Sequence, residues 1–528
     1  MMGYRNVIGR MSGMLLFRTS YVRSLLVLML LMPFTANSSR AADRDDPGGE
    51  VELSLKQCME LMLSNNLDLK VERYNPTLQE NEISKERAAF DPVARFSLQK
   101  SKFIISPTTL LDGVGQNQSY EQKTMDYEAS LSKKFITGGL GELKFSTDKI
   151  DTNSIWQYDS PTYFSNLVFS LNQPLLRNFG IDLNKSRIII SSNNREISQA
   201  RLMDKTSSMI TTLHGIYWNL YLSKQVLEVK KDSLQLARDL KDRNSALVEV
   251  GKLPSVEILR AETGIATREE DVIVAESATR DLEDVLKETL NLPFSKQVII
   301  LKDKPVLREF QQQEVKDYLA IALENRPEYK EAKMHCENVT IANKVAKNAM
   351  LPLFDVQASY GVNATKGHYD SSVKGMKGGG DYSWLVGFKM EVPLGNRWAR
   401  NNYQQSRLEL DKTETSITSL ERKIELEIIE AVREIETNQK RISATREARR
   451  MSEKNLEAED ERMDLGMSTS IDVLRAQELL ELAQVNETRA IVDYINSLNS
   501  LEKVLGTLFQ NHQIQFSDAL VEAKNATP

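Results

Sequence analysis

The chain carries one layout twice, and that duplication limits what it can fold into. Gly251-Lys252-Leu253-Pro254-Ser255-Val256-Glu257-Ile258-Leu259-Arg260-Ala261-Glu262 realigns with Gly466-Met467-Ser468-Thr469-Ser470-Ile471-Asp472-Val473-Leu474-Arg475-Ala476-Gln477 at an offset of 215 residues. The same offset sets Leu290-Asn291 on Leu505-Gly506, so roughly forty residues run in register without a gap. Upstream, Asn65, Phe90 and Pro92 fall on Asn325, Met350 and Pro352, and Gln173-Pro174-Leu175 falls on Val392-Pro393-Leu394. The offsets change only where loops absorb length. Each half therefore reads as short helix, strands, very long helix, tight turn and helix. Long helices paired with a few strands suit a tube better than an enzyme.

Ser54 and Gln57 form a capping box ahead of a helix over 55–71, which Asn75-Pro76 restarts and Phe90-Asp91-Pro92 stops. The matching helix spans 315–349, kinked or divided at Pro327. Period-two segments follow at 93–99 and 354–360, with returning strands at 164–171 and 384–390. The first half has a surplus hairpin, 127–135 and 141–146 around Thr137-Gly138-Gly139, where the second has only a loop over 361–381. That predicts four strands against two. Such alternation fits a membrane barrel and equally a half-exposed soluble sheet.

Stretches 184–248 and 403–463 contain no proline, enough for rods of roughly 90–100 Å. The seam of the second begins apolar, with Ile417, Leu420, Ile424, Ile428, Ala431 and Ile435. It continues through Asn438, Ile442, Thr445, Arg449, Ser452, Leu456, Glu459 and Met463, where polar residues interrupt the apolar ones. A solid two-stranded coiled coil would lose its core there. A wall of helices around a water-filled bore, or the solvent edge of an ordinary bundle, tolerates it.

The net charge of −6 advertises no basic field for nucleic acid. At the N-terminus, Arg5, Arg10, Arg18 and Arg23 precede the apolar run 25–32 and small residues to Ala42. This reads as a signal peptide cleaved near Ser38 or Ala41, its apolar run too short for a membrane helix. No later stretch approaches the ~20 apolar residues of such a helix, so membrane integration would require β-strands. Cys58 and Cys336 occupy non-equivalent positions, which favours two lone thiols over a disulfide. His214, His335, His368 and His512 stand alone, and Gly378-Gly379-Gly380 lacks the tail of a phosphate loop. No catalytic constellation, cofactor site or metal site is expected.

Taken together, these motifs resemble the TolC family of outer-membrane efflux and secretion channels from Leu53 to about Phe509. The most specific is the turn-plus-helix pattern G-x-x-x-S-x-[DE]-[VI]-L-R-A, present twice. Support comes from Phe90-Asp91-Pro92, from 173–180 leaving the strands, and from 501–508 as a last helix. The resemblance implies a mainly α chain with membrane β. Three protomers would share one β-barrel and a periplasmic α-barrel, forming a channel-tunnel. Expected divisions are 1–42 for the signal peptide and processing region, 43–312 and 313–512 for the two efflux repeats, and 513–528 for a C-terminal tail. Expected partners are two further copies, outer-membrane lipid, and a periplasmic adaptor (membrane fusion protein) with its inner-membrane pump of RND or ABC type. By resemblance the turns at Gly251 and Gly466 lie at the periplasmic tip, where Pro254, Ser255 and Ser470 would meet the adaptor. Asp472, and less strongly Glu257, would line the closed end. The ordinary alternative is a helix-start carboxylate opposing the macrodipole. Arg475, Met463 and Ser468 depart from the family's aspartate, aromatic and basic positions, so its closing bonds do not transfer. Asp472 and Arg475, three apart, are expected to neutralise one another. The rival class is a periplasmic coiled-coil spacer without transport.

Overall fold

The computed structural model describes residues 50–106, 114, 118–294, 298–378 and 381–512. The expected signal peptide, Gly379-Gly380 and the expected C-terminal tail lie outside them. Among the described residues no helix is long and apolar enough to cross a membrane.

The chain opens with β1 (Glu50–Leu53), α1 (Leu55–Asn65) and α2 (Leu67–Arg87). Ser54 and Gln57 make the expected capping box. The helix break falls at Asn66 rather than at Asn75-Pro76, because the Asn66 side chain accepts from Leu69 N–H and starts a new helix that carries Pro76 in its interior. Next come β2 (Val93–Ile105), β3 (Tyr120–Lys134), β4 (Leu140–Thr152) and β5 (Thr162–Pro174). Then follow α3 (Ile181–Glu249), α4 (Val256–Leu290) and β6 (Val298–Leu301). The second half repeats this with α5 (Val315–Asn325), α6 (Pro327–Asn348), β7 (Leu353–Lys366), a short α7 (Tyr369–Gly375) and β8 (Asp381–Glu391). It closes with α8 (Arg397–Asp464), α9 (Ser470–Leu505) and α10 (Leu508–Asn511). Pro327 divides the helix by taking the first position of α6, where its missing N–H costs no bond. The expected loop 361–381 is instead the end of β7 followed by α7, whose Ser372 hydroxyl binds Ser165 Oγ at 2.9 Å and Ala364 O at 2.8 Å.

Helices α3 and α8, of 69 and 68 residues, each run about 100 Å. Toward the strands their neighbours give the order α2–α3–α6–α8, and toward the turns α4–α3–α9–α8. Between these levels β1 pairs in parallel with β6, an element sequence patterning missed because each strand has four residues. The core concentrates at this girdle in two clusters. One gathers Met62, Ile210, Leu213, Tyr217, Leu286 and Leu290. The other gathers Tyr318, Tyr329, Ile424, Ile428, Ile435 and Tyr494. Beyond Ile442 the α8 seam stops being buried until Met463, and Arg446 and Arg449 instead pair with Glu487 of α9 at 3.3 and 3.2 Å.

Both cysteines are free. Cys58 is buried, which pushes its thiol up to about 12, with Asp303 adding to the effect. His214 sits in the girdle, its Nε2 accepting from Trp218 Nε1–H at 3.3 Å and its Nδ1 3.2 Å from Asn496 Oδ1. Burial lowers its pKa from 6.5 to about 4. Between those values the unfolded chain binds a proton that the folded chain refuses, so stability is full above about pH 6.5 and falls toward pH 4. The loss amounts to roughly 3 kcal/mol. Thermal unfolding followed by circular dichroism from pH 4.5 to 7.5 should show this slope, and His214→Gln should flatten it. An equal slope in both proteins would contradict the assignment.

Candidate functional site

Two places on the molecule have more structure than packing requires: the sheet and the two helical turns.

The sheet has six antiparallel strands in the order β2-β3-β4-β5-β7-β8. Because side chains alternate sides, each cross-strand rung belongs to one face. One rung reads Ala94–Leu131–Leu143–Phe169–Tyr360–Trp384, and the next on that face reads Phe96–Ala129–Phe145–Leu167–Val362–Tyr382. On β8 the same face continues through Val386, Phe388 and Met390, so apolar residues recur at every second position over ~27 Å of strand. These side chains are bare. Phe96 is 74% exposed, Trp384 68% and Phe388 70%. The opposite face carries Ser97–Glu128–Ser146–Asn166–Asn363–Asp381 on one rung and Arg95–Ser130–Lys144 on its neighbour, with Lys144 bound to Glu128 at 2.7 Å. A sheet in water buries its apolar face and wets its polar one. Here α7 covers the apolar face only around Ser165 and Ala364, and the apolar rungs stay largely open. The edge strands β2 and β8, of 13 and 11 residues, are exposed along nearly their whole length.

At the far end of α3 and α8 the chain turns twice by one motif. Gly251 N–H donates to Val248 O and Lys252 N–H to Leu247 O, while Gly466 N–H donates to Met463 O and Met467 N–H to Arg462 O, all at 2.8–2.9 Å. Both glycines hold positive φ, +73° and +75°, which a Cβ disfavours by about 1 kcal/mol. Neither would meet an atom within 4 Å through an added Cβ, so backbone conformation rather than space selects glycine.

The candidate tip residues separate into two groups. Asp472 is exposed and completes a capping box, its Oδ2 accepting from Thr469 Oγ1 at 2.7 Å and Thr469 N–H at 3.2 Å. Those bonds hold its carboxyl below the usual range, with Arg462 and then Arg475 adding charge. Its direct partner is therefore Thr469, and Arg475 acts on it only through its field. Glu257 is instead turned inward and is 6% exposed. Its Oε1 binds Arg260 at 2.5 Å, and its Oε2 accepts the Ser470 N–H at 3.3 Å, capping α9 from the other repeat. Asn244 of α3 closes the knot, with Nδ2 donating to Ser470 Oγ at 2.8 Å and to Glu257 O at 3.3 Å. Ser470, expected among the surface residues of the turn, is fully buried by these contacts. Pro254, Ser255 and Arg475 remain exposed.

Sequence patterning missed two features. Arg268 is buried, its Nε donating to Ser233 Oγ and its Nη2 to Leu474 O and Gln477, which ties α4 to α3 and α9. Burial draws its pKa down, against the nearby carboxylates of Glu481, Glu478 and Asp271. The turns also carry bare apolar side chains, namely Val250, Val256, Leu259, Leu465, Met467 and Ile471. A residue-by-residue reading sees these only as scattered hydrophobics.

The described residues have the fold of the channel-tunnel class. Residues 319–507 match the family model described as outer membrane efflux protein. A comparison with curated proteins gives no match. Among solved structures, the chain is similar to the Campylobacter jejuni CmeC outer membrane channel, at 16% identity over 89% of each chain with a TM-score of 0.61. It is also similar to the outer membrane protein VceC of Vibrio cholerae, at 14% identity over 86% of this chain and 96% of that one, TM-score 0.60. The open state of the Neisseria gonorrhoeae MtrE outer membrane channel matches at 15% identity over 86% and 89%, TM-score 0.60. At such identities the structures establish the fold. The family match lies within the expected second repeat, the described chain has the fold of outer-membrane channels, and the resemblance to the TolC family holds.

The knot at the turns has a direct test. Glu257→Ala strips the buried Ser470 N–H of its acceptor, at a cost of roughly 1–3 kcal/mol. Amide exchange over residues 468–474 should accelerate by tenfold or more while the girdle stays protected. Unchanged exchange there would show that Glu257 does not cap α9.

Proposed function

We propose that this chain is the outer-membrane subunit of a tripartite efflux or type I secretion system, a passive conduit from the periplasm to the exterior. The observation that carries it is the two-faced sheet, whose apolar rungs are largely open and whose two edges are unpaired. Unpaired strand edges are not tolerated in lipid, so the sheet must close. Six alternating strands place β2 and β8 in opposite directions, so β8 of one copy pairs antiparallel with β2 of the next. A closed ring of such head-to-tail contacts is a cyclic oligomer, here a homotrimer. The apolar face meets lipid, the polar face lines the bore, and the helical wall extends through the periplasm.

The tip turns receive the periplasmic adaptor of an inner-membrane pump. Support comes from the exposed apolar side chains around Gly251 and Gly466, with Pro254 and Ser255 beside them. Of the two candidate carboxylates, Asp472 is the one available to permeating ions, because Glu257 is spent inside the protomer. Three Asp472 carboxylates around an axis favour cations, with Arg475 opposing them. The depressed pKa keeps this charge down to below the ordinary carboxylate range, and it is lost as pH falls through the lowered value.

Planar-bilayer recording tests both parts. Purified protein should conduct in steps without an energy source and prefer cations under a salt gradient. Asp472→Ala should reduce that preference and weaken block by divalent cations, and Arg475→Ala should strengthen both. Intact oligomers that never conduct would contradict the channel. A conducting Asp472→Ala with unchanged selectivity would move the selective point elsewhere.

A further inference from the structure

The hairpin β3–β4 has no counterpart in the second half: one repeat supplies four strands to the sheet and the other two. A surplus hairpin in a pore protein can fold into the bore, lie over the outside, or join the wall. The register decides between these. β3 pairs with β2 from Val93↔Ser132 to Ile105↔Tyr120, and with β4 from Lys134↔Leu140 to Gln122↔Thr152. β4 in turn pairs with β5 from Leu140↔Asn172 to Ile150↔Thr162. The facial pattern also continues through the middle of the hairpin, giving way to Lys123 and Lys149 toward its far end. Leu131, Leu143 and Phe145 extend the apolar face, while Thr124, Glu128, Lys144 and Ser146 extend the polar one. A plug would lack the outward apolar side chains, and a flap would lack the two complete ladders.

Resting on the trimeric reading above, we propose that the outer-membrane wall contains eighteen strands, with β3–β4 of each protomer built in, so that the exterior mouth is a wide aqueous pore and sieving of cargo falls to the helical end. Strand number sets barrel diameter almost linearly, and barrels of 16–18 strands enclose an aqueous channel. Relative to the twelve strands that β2, β5, β7 and β8 alone would supply, the hairpins widen the mouth about 1.5-fold in diameter. Adding strands in pairs also keeps the up-and-down order that the β8-to-β2 closure requires. The cargo class this admits is hydrophilic solutes too bulky for the narrower ring.

Site-directed spin labelling reads the wall directly, in a Cys336→Ser background where the buried Cys58 stays unlabelled. Labels at Thr124→Cys and Ser146→Cys should be reached by a water-soluble nickel relaxant. Labels at Leu131→Cys and Leu143→Cys should be reached by lipid-dissolved oxygen instead. Asn363→Cys and Trp384→Cys, on strands outside the hairpin, serve as polar-face and apolar-face controls. If the controls alternate and the hairpin positions do not, the hairpin lies outside the wall and the wide mouth is wrong. If the controls themselves fail to alternate, the membrane-barrel reading falls with it. As a second measurement, deleting residues 119–153 should leave a trimer whose largest polyethylene glycol admitted from the exterior side shrinks about 1.5-fold in radius. An unchanged cut-off in an assembled deletion trimer would also overturn the proposal.

Discussion

A β-strand in hydrocarbon cannot leave its backbone hydrogen bonds unmade, and the rest of this molecule follows from that requirement. Six strands have two edges wherever they stop, and β2 and β8 present theirs fully. The apolar rungs through Leu143, Phe169 and Trp384 define the face suited to lipid. In the proposed trimer, closure between copies satisfies the edges and gives the polar rungs an interior. It would also bring the long helices of each copy alongside those of the next. Their seam then need not be apolar throughout, which accounts for the half-open stretch of α8 between Ile442 and Met463.

The helical end meets the opposite demand, since two hairpins of one chain must be held together where little apolar core remains. Leu240, Met463 and Val473 form a small cluster near the turns. Polar bonds supply the rest: the Asn244–Glu257–Ser470 knot, the buried Arg268, and Arg243 reaching Asp460 and Asp464 at 3.4 and 3.6 Å. Bonds of this kind hold their groups in place yet exchange readily for water when the hairpins part, whereas an apolar seam would resist separation. Rigid girdle and polar tip thus suit a conduit fixed at one end and adjustable at the other.

Much of this was legible in the residues, for reasons that differ between elements. The long helices and paired turns declared themselves because proline is absent and glycine recurs at matching places, both local properties. The four-against-two strand division was visible at Thr137-Gly138-Gly139, although each strand runs further than its alternation suggested; in β2 the stretch Lys100 to Lys102 is polar on both faces and hides the continuation to Ile105. The break reads at Asn75-Pro76 because proline looks like a breaker anywhere, whereas the real start at Asn66 depends on one side-chain bond. The inward turn of Glu257 was invisible: it depends on Ser470, which lies 213 residues away in the chain. The parallel pair β1–β6 was lost for the same reason, being four residues at each end of the first repeat.

The central claim is that copies of this chain close one barrel through β2 and β8, and the mass of the assembled particle tests it most directly. Protein extracted from outer membranes in mild detergent should weigh three chains by native mass spectrometry, and should dissociate to single chains only on heating. A soluble or peripheral elongated dimer, obtained without detergent, would contradict the account and favour the envelope-spacing alternative.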